Sequence, residues 1–550
     1  MKIVLGVLIV AISVLVLILS LPYLVDLNKY QDQYKPLIED ALNRKVQLHD
    51  IRLTIWPRIG ARVAGFTVLD DPAFGSGPFT SLTSLDVGVK LLPLLSSKVE
   101  VEDITLRDPV ITIIKNMNGV LNVSTLGRTG VAAPKVPSRA PIPSTEGPLK
   151  ILALLAVDRV SIAGGKLTYR DLSAAKPTEY VLQDLELLLG SVRLGQVPTL
   201  HVGTLVQPFN LPVMLDGTFG PLKETADLDT INFRLGLGKT EFTITGKTVG
   251  HNATVNVSSP VINTAHLPMT LTLAKPVDIT NLQIAAEVKG QEAKLNTLSF
   301  QLFNGQVKGQ GALVTGSDAP PFKGNLTVQG LQVGPALNAI AATPVSISGT
   351  AGADLTLQGR GFSMPDLTKA LEGTSHLSVK DGKIDGVNVL QEAISILKVA
   401  GIEVGDPKGT VFSAIETDLT VSQGIINVQR LLMDSHDFQA TGGGTIGFDQ
   451  KLNLTLGMNL SQELSRKIAG ASPVAKLAMK KDGRLSLPLT ITGTVQQPSY
   501  GLDMKGLTGK VQEQVQEKVE EAVGGLLKGT TKPQDLKQQG QDLLKGLLSR

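Results

Sequence analysis

Lys451 to Leu460 reads KLNLTLGMNL, and Arg484 to Thr492 reads RLSLPLTIT. Leu452, Leu454, Leu456, Met458 and Leu460 fall at every second position of the first. Leu485, Leu487, Leu489 and Ile491 do the same in the second. Successive side chains of a strand point to opposite faces, so each stretch predicts a strand with one apolar face. Pro488 lies on the other face; it cannot donate to a ladder, which predicts an edge strand there. Period two dominates from about Leu149 to Leu502. Asp381-Gly382, between Leu377-Ser378-Val379 and Lys383-Ile384, predicts a type I′ hairpin turn. A loose strand–turn–strand repeat recurs at Ile231–Gly246 (INFRLGLGKTEFTITG), Leu298–Leu313 (LSFQLFNGQVKGQGAL) and Leu431–Phe448 (LLMDSHDFQATGGGTIGF). Repeats of that kind extend a sheet instead of closing separate domains.

Outward from this region the period changes. Asp366–Leu371 and Val387–Val399 read as helical interruptions, the second with Leu390, Ala393, Ile394 and Leu397 on one face. Residues 505–550 read as an amphipathic helical tail: Val511, Val515, Val519 and Val523 form a stripe, and Leu543, Leu544, Leu547 and Leu548 a second apolar face. Towards the N-terminus, Gly127–Pro148 (GRTGVAAPKVPSRAPIPSTEGP) is a Pro/Ala/Gly-rich linker with too little apolar content to pack. Residues 26–126 predict a small α+β unit. Its helix spans Asn28–Arg44, with Tyr34, Leu37, Ile38, Ala41 and Leu42 on one face and Pro36 near the start. Short strands follow at Val46–Leu48, Leu53–Ile55, Val87–Val89 and Ile104–Leu106.

Ile3 to Leu21 is a near-unbroken apolar run, IVLGVLIVAISVLVLILSL. About 20 apolar residues cross a hydrocarbon core of about 30 Å. Lys2 and Tyr23 sit where membrane-interface residues belong. No small-residue cleavage site follows the run, so residues 1–25 predict an uncleaved single-pass anchor. The thin positive-inside signal places the N-terminus in the cytoplasm and the bulk of the chain outside.

Charged residues make up 18% of the chain, below the roughly 25% of ordinary domains, and aromatic residues only 4%. That balance suits strands and turns. The net charge of +3 is spread along the chain, unlike the clustered basic face of a nucleic-acid binder, so no nucleic acid is expected. Cysteine is absent, which removes disulfides, thiol nucleophiles and Cys-based metal sites. The six histidines show no metal-ligand spacing, and His436-Asp437 reads as a solvated turn. Gly442–Gly447 (GGGTIG) formally matches a dinucleotide fingerprint, but an alternating strand follows it instead of a helix. A tightly approached strand explains those glycines better. No catalytic motif appears, so the chain is read as a non-enzyme without cofactor or metal.

The alternating apolar face is then the candidate for function. It is either a packed core or the floor of an apolar trough. A long one-faced sheet with few helices to cover it and few aromatics to fill it favours the trough, and acyl chains are what such a trough holds. The groove candidates are Leu298, Phe300, Leu302, Leu452, Leu454, Leu456, Met458, Leu460, Leu485, Leu487, Leu489 and Ile491.

Several segments, in this order, resemble the AsmA-like proteins of Gram-negative envelopes. They are the apolar run, the helix around Tyr34–Leu42, Leu53-Thr54-Ile55-Trp56-Pro57, Leu91–Ser96 (LLPLLS) and Leu106–Val123. Leu371–Val389, Thr410-Val411-Phe412 with Gly424, Gly442–Phe448 and Leu487–Pro498 continue the match. Residues from about 150 to 340 match mainly in style. The resemblance implies an inner-membrane-anchored periplasmic protein with a chorein-like N-terminal region and a β-groove over residues 149–504. It further implies partners among phospholipid acyl chains, the inner membrane, and outer-membrane or periplasmic assembly proteins. Lipid supply to the outer membrane is one reading; a non-transporting scaffold for outer-membrane protein insertion is the other. This chain is much shorter than the largest members. About 30 strands at ~4.8 Å would make a single ribbon of about 140 Å, and a two-layered arrangement about half that, which leaves open whether it bridges two membranes alone.

Overall fold

The computed structural model describes residues 26–55, 58–90, 93, 100–127, 157–173, 177–225, 227–267, 273–317, 319–340, 346–386, 388–395, 409–471 and 479–502. The expected anchor with Lys2 and Tyr23, nearly all of the linker, and the helical tail lie outside them. Among the described residues no helix is long and apolar enough to cross a membrane. The chain is mainly β, as expected. It divides into two compact units: Met1–Thr270 with Gln283–Gly290, and Leu271–Leu282 with Gln291–Arg550.

Unit 1 begins with helix α1 (Gln31–Leu42), which ends on Asn43 in the left-handed conformation. Ile38 and Leu42 pack against the buried Val46, Phe66, Val68 and Leu82. Leu37, expected on that face, is 68% exposed, and Pro36 lies inside the helix. Strands β1 (Val46–Gln47) and β2 (Asp50–Thr54) pair antiparallel with β3 (Gly60–Leu69), which pairs with β4 (Pro78–Val89). β5 (Val101–Arg107) and β6 (Val110–Lys115) are antiparallel to β4 and parallel to β7 (Arg159–Asp171). The long connection from Lys115 to Arg159 is what a parallel pairing needs, because no tight turn can make one. An antiparallel meander follows: β8 (Thr178–Gly190), β9 (Thr199–Gln207), β10 (Leu211–Gly220), β11 (Leu228–Leu237), β12 (Thr240–Val249) and β13 (Asn252–Asn263). β14 (Asp278–Lys289) comes next in the chain.

A buried polar clamp closes the N-terminal part of unit 1. Asn122 is fully buried; its Nδ2 donates to Asp70 Oδ2 at 2.7 Å and to the Thr112 carbonyl at 2.9 Å. Its Oδ1 accepts from the Ile114 amide at 3.0 Å, and its carbonyl accepts from Arg44 Nη2 at 3.0 Å. Three groups thus converge on one amide side chain, and the Ile114 amide and Thr112 carbonyl lose these bonds without it.

Unit 2 continues as an antiparallel meander: β15 (Glu292–Leu302), β16 (Gly305–Val314), β17 (Pro321–Gln332), β18 (Ser346–Arg360), β19 (Glu372–Asp385), β20 (Gly409–Ser422), β21 (Ile425–Asp434), β22 (Phe438–Gly447), β23 (Leu452–Leu460), β24 (Ser486–Gly493) and β25 (Pro498–Leu502). Among the described residues four short helices interrupt it: α2 (Val333–Ile340), α3 (Met364–Ala370), α4 (Val389–Ser395) and α5 (Gln462–Ala471). All three repeat copies form hairpins. Between β15 and β16 the turn residues Phe303 and Asn304 both have positive φ, 47° and 64°, the geometry that matches strand twist.

Two expectations are corrected. Asp381-Gly382 is no hairpin turn: β19 runs straight through it. Asp381 (φ 51°) is an extra residue against β18, where Ser348 pairs with Lys383 but Thr350 with Lys380. A Cβ on Gly382 would lie 2.2 Å from Phe412 Cζ, so that glycine seats a buried ring. β24 is no edge strand, because β23 and β25 flank it. Yet β25 pairs only with Leu489–Gly493, so at Pro488 the ladder is one-sided among the described residues. Gly442 and Gly444 behave as read: a Cβ on either would lie 2.1 Å from a carbonyl oxygen of β23, Thr455 or Asn453.

Asn122→Ala is expected to cost about 1–3 kcal/mol of stability and to speed hydrogen exchange at the Ile114 amide, which loses its acceptor. Unchanged exchange there would contradict the clamp.

Candidate functional site

The register of unit 2 aligns apolar side chains in rows that cross the strands. One row runs Phe300, Val307, Val328, Ala353, Leu377. The next runs Leu298, Gly309, Leu326, Leu355, Ser375, Leu419, then Val428, Gly444, Leu454 and Ile491. Most of these side chains, Leu302 and Leu452 included, are half-buried. A side chain between two packed layers would be fully covered; one on the face of a single layer is sheltered by its neighbours and stays partly open.

Towards the end of the strands where α2, α4 and α5 lie, the same face changes character. Met433, Ala440, Met458 and Leu487 are cross-strand neighbours and buried. They join Leu456, Leu460, Leu485 and Leu489 in one cluster with Leu390, Ala393 and Ile394 of α4 and Ile468 of α5. Ser465, fully buried, ties α5 down: its Oγ accepts from the Leu485 amide at 2.8 Å and donates to the Ser461 carbonyl at 2.7 Å. The groove candidates therefore divide. Leu456, Met458, Leu460, Leu485, Leu487 and Leu489 are plug residues in a packed core, half-buried Ile491 packs against that core, and Leu298, Phe300, Leu302, Leu452 and Leu454 line the open face.

Unit 1 repeats the arrangement. Ile162, Leu187, Val202, Leu215, Leu235 and Phe242 form a half-buried row. Leu189, Val192, Phe219 and Leu222 make a buried cluster at one end of the strands. At the other end Tyr180 and Phe209 stack, ring centroids 6.0 Å apart. Beside them Asp171 accepts from the Ser173 hydroxyl (2.6 Å) and amide (2.9 Å) and from Lys115 Nζ (3.3 Å). The Ser173 bonds and then the ammonium hold its carboxyl down to about 2.

The opposite face of the unit 2 sheet is polar. Thr327, Asp354, His376, Asp418 and Arg430 are successive cross-strand neighbours over β17–β21. His376 Nδ1 lies 2.8 Å from Asp418 Oδ1, a bond that lowers the Asp418 carboxyl, with Arg430 contributing. A shallow concavity of about 460 Å³ opens over this row. In unit 1, His201 and Asp216 make a similar cross-strand pair at 2.5 Å. These partners are far apart in sequence, so no spacing announces them. His436 is 96% exposed in the turn where it was expected. Among the described residues no group of three or more His, Asp or Glu side chains could hold a metal ion.

The family model described as AsmA family matches residues 1–272 and 270–431. No curated protein and no solved structure matches the chain.

The plug and the open face respond differently to charge. Leu487→Asp buries an unpaired carboxylate and is expected to cost about 3–5 kcal/mol, whereas half-buried Leu454→Glu should cost about 1 kcal/mol or less. Equal losses in urea unfolding would mean that both positions are core. Asp171 gives a pH signature. Its folded carboxyl is depressed, so its contribution is complete above the ordinary carboxylate value near pH 4 and is lost as pH falls towards 2. Asp171→Asn should therefore flatten the acid-unfolding curve in that window, as read by circular dichroism.

Proposed function

The chain belongs to the AsmA family, and from that premise we propose that it is a periplasmic protein, anchored in the inner membrane, that holds phospholipid by its acyl chains. The lipid lies along the open apolar face, and the protein supports lipid transport to, or homeostasis of, the outer membrane. One observation carries the reading: in each unit a half-buried apolar face runs beside a fully packed plug. Among the described residues, a sequence able to make a dry core at Leu456–Leu489 leaves Leu298, Leu326, Leu355 and Leu454 only half-buried on the same face. Contiguous exposed apolar surface of that kind marks a binding surface in a water-soluble body. Acyl chains suit it because they are flexible, apolar and free of hydrogen-bonding demands, and the rows are apolar apart from hydroxyls such as those of Ser375 and Thr417. The chain is proposed to act by binding alone, without catalysis.

Native mass spectrometry of the full chain purified from membranes tests the reading. Phospholipid is expected to accompany the protein, and Leu355→Asp is expected to remove most of it while the thermal unfolding temperature changes little. Lipid-free protein, with envelope defects arising only from lost protein contacts, would instead favour the scaffold role. A reporter fused after Arg550 should be active in the periplasm; activity confined to the cytoplasm would overturn the topology.

A further inference from the structure

Each apolar face has a plug at one end of its strands and a stacked aromatic pair at the other. In unit 2 that pair is Phe322 and Phe362, ring centroids 5.1 Å apart. A Cβ on Gly359 would lie 2.8 Å from Phe322 Cζ, so the glycine makes room for the ring. β18 ends at Arg360, and the chain past it carries Phe362 and Met364, 62% and 64% exposed, into α3. Val314, the last residue of β16, is 40% exposed at the same strand end. Apolar side chains gathered at one strand end, instead of scattered singly, mark a surface that something apolar covers.

The charges at this end decide what covers it. The register puts Lys294, Lys323 and Arg360 on the polar face, opposite Phe322, and Lys369 lies exposed in the last turn of α3. Among the described residues none of these four cations has an ion-pair partner. Near Tyr180 and Phe209 in unit 1 the cations are spoken for: Arg170 lies 2.7 Å from Glu179 and Lys115 3.3 Å from Asp171. Three carboxylates stand among the free cations, Glu292, Asp366 and Glu372. Ser363 Oγ donates to Asp366 at 2.5 Å, and Gln358 Nε2 to Glu372 at 2.9 Å. The attraction is therefore short-range, to individual phosphates. A sheet is one strand thick, so a surface that meets it end-on meets both faces. It meets Phe362 and Met364 first, because they lie past the strand end. Lys323 stands two residues inside β17, about 7 Å back. Apolar side chains ahead and cations several ångströms behind match the layering of a bilayer. Interfacial apolar residues sink about 5–10 Å into it, and basic residues meet its anionic heads.

We propose that this strand end is a docking rim for an anionic phospholipid bilayer. Phe362 and Met364 sink between the head groups, while Lys323, Arg360 and Lys369 meet the phosphates of the surrounding lipids. The open end of the apolar face, opposite the α4–α5 plug, is thereby brought to the bilayer. The docking stands on the chemistry of the rim; that lipid passes from the bilayer onto the Leu326 and Leu355 rows rests on the lipid reading above.

The chain has no cysteine, so Met364→Cys carries a single polarity-sensitive fluorophore. The labelled full chain is held in phosphatidylcholine nanodiscs and mixed with vesicles containing brominated lipid. With phosphatidylglycerol in the vesicles, the label is expected to shift to the blue and to be quenched. A label at Thr441→Cys, exposed on the polar face away from the rim, should stay bright. Lys323→Gln combined with Arg360→Gln should weaken vesicle binding about 30-fold, the worth of two basic residues near an anionic surface. An unquenched rim label, equal quenching at Thr441→Cys, or binding to pure phosphatidylcholine as tight as to phosphatidylglycerol overturns the docking. A rim label shielded by native membrane vesicles but not by lipid vesicles makes the occupant a protein and overturns it as well. Rim docking by a wild type that carries no co-purified phospholipid leaves the docking standing and sinks the trough; co-purified phospholipid with a wet rim does the reverse.

Discussion

A sheet with its apolar side chains on one face must cover that face, and what covers it decides everything else about the molecule. Among the described residues of unit 2, a packed cover lies at one end of the strands. There Leu390, Ala393, Ile394 and Ile468 from two short helices close over Met458, Leu485 and Leu487. Beyond that plug the rows through Leu326 and Leu355 continue with the same register and, among the described residues, stay half-buried. Burial of apolar area is the main favourable term in folding, so the plug anchors the sheet and allows the remaining face to stay open.

The ladder makes that division tolerable. Each strand between two neighbours has its amides and carbonyls bonded, so an uncovered face leaves few polar backbone groups unsatisfied. Small departures adjust the sheet locally. Gly382 gives way to Phe412, Gly442 and Gly444 let β23 approach closely, and the extra residue Asp381 is absorbed as a bulge. Bulges increase local twist, and a twisted, one-faced sheet shelters its apolar side without a second layer.

Charged side chains gather on the other face and at the strand ends. His376 with Asp418 and His201 with Asp216 are cross-strand pairs on exposed surface. Asn122, Arg44 and Asp70 form the one deeply buried polar network described above, and it fixes the end of α1 against β6. Neither arrangement intrudes on the apolar rows, where the polar interruptions are small hydroxyls such as those of Ser375 and Thr417.

Strand identity was legible because period two is a local property: Leu452 to Leu460 and Leu485 to Ile491 had to be one-faced strands whatever surrounded them. The helix at Val389–Ser395, the three repeat hairpins and the tight strand at Gly442–Gly444 were legible for the same reason. Depth was not. Nothing in the alternation separates Leu454, half-buried, from Leu456, buried two residues later, since the difference comes from α4 and α5 arriving from elsewhere in the chain. Helix α5 itself went unread between two strong strand signals, although Ser461 with Leu464 and Ile468 carries its start and its apolar face. Asp381-Gly382 has the composition of a hairpin turn, and only pairing with β18 and β20 on both sides keeps the chain straight there. The sequence by itself determined the strands, their apolar face and the family. The tertiary structure decided which part of that face is core and which is open, because that depends on contacts that no local period encodes.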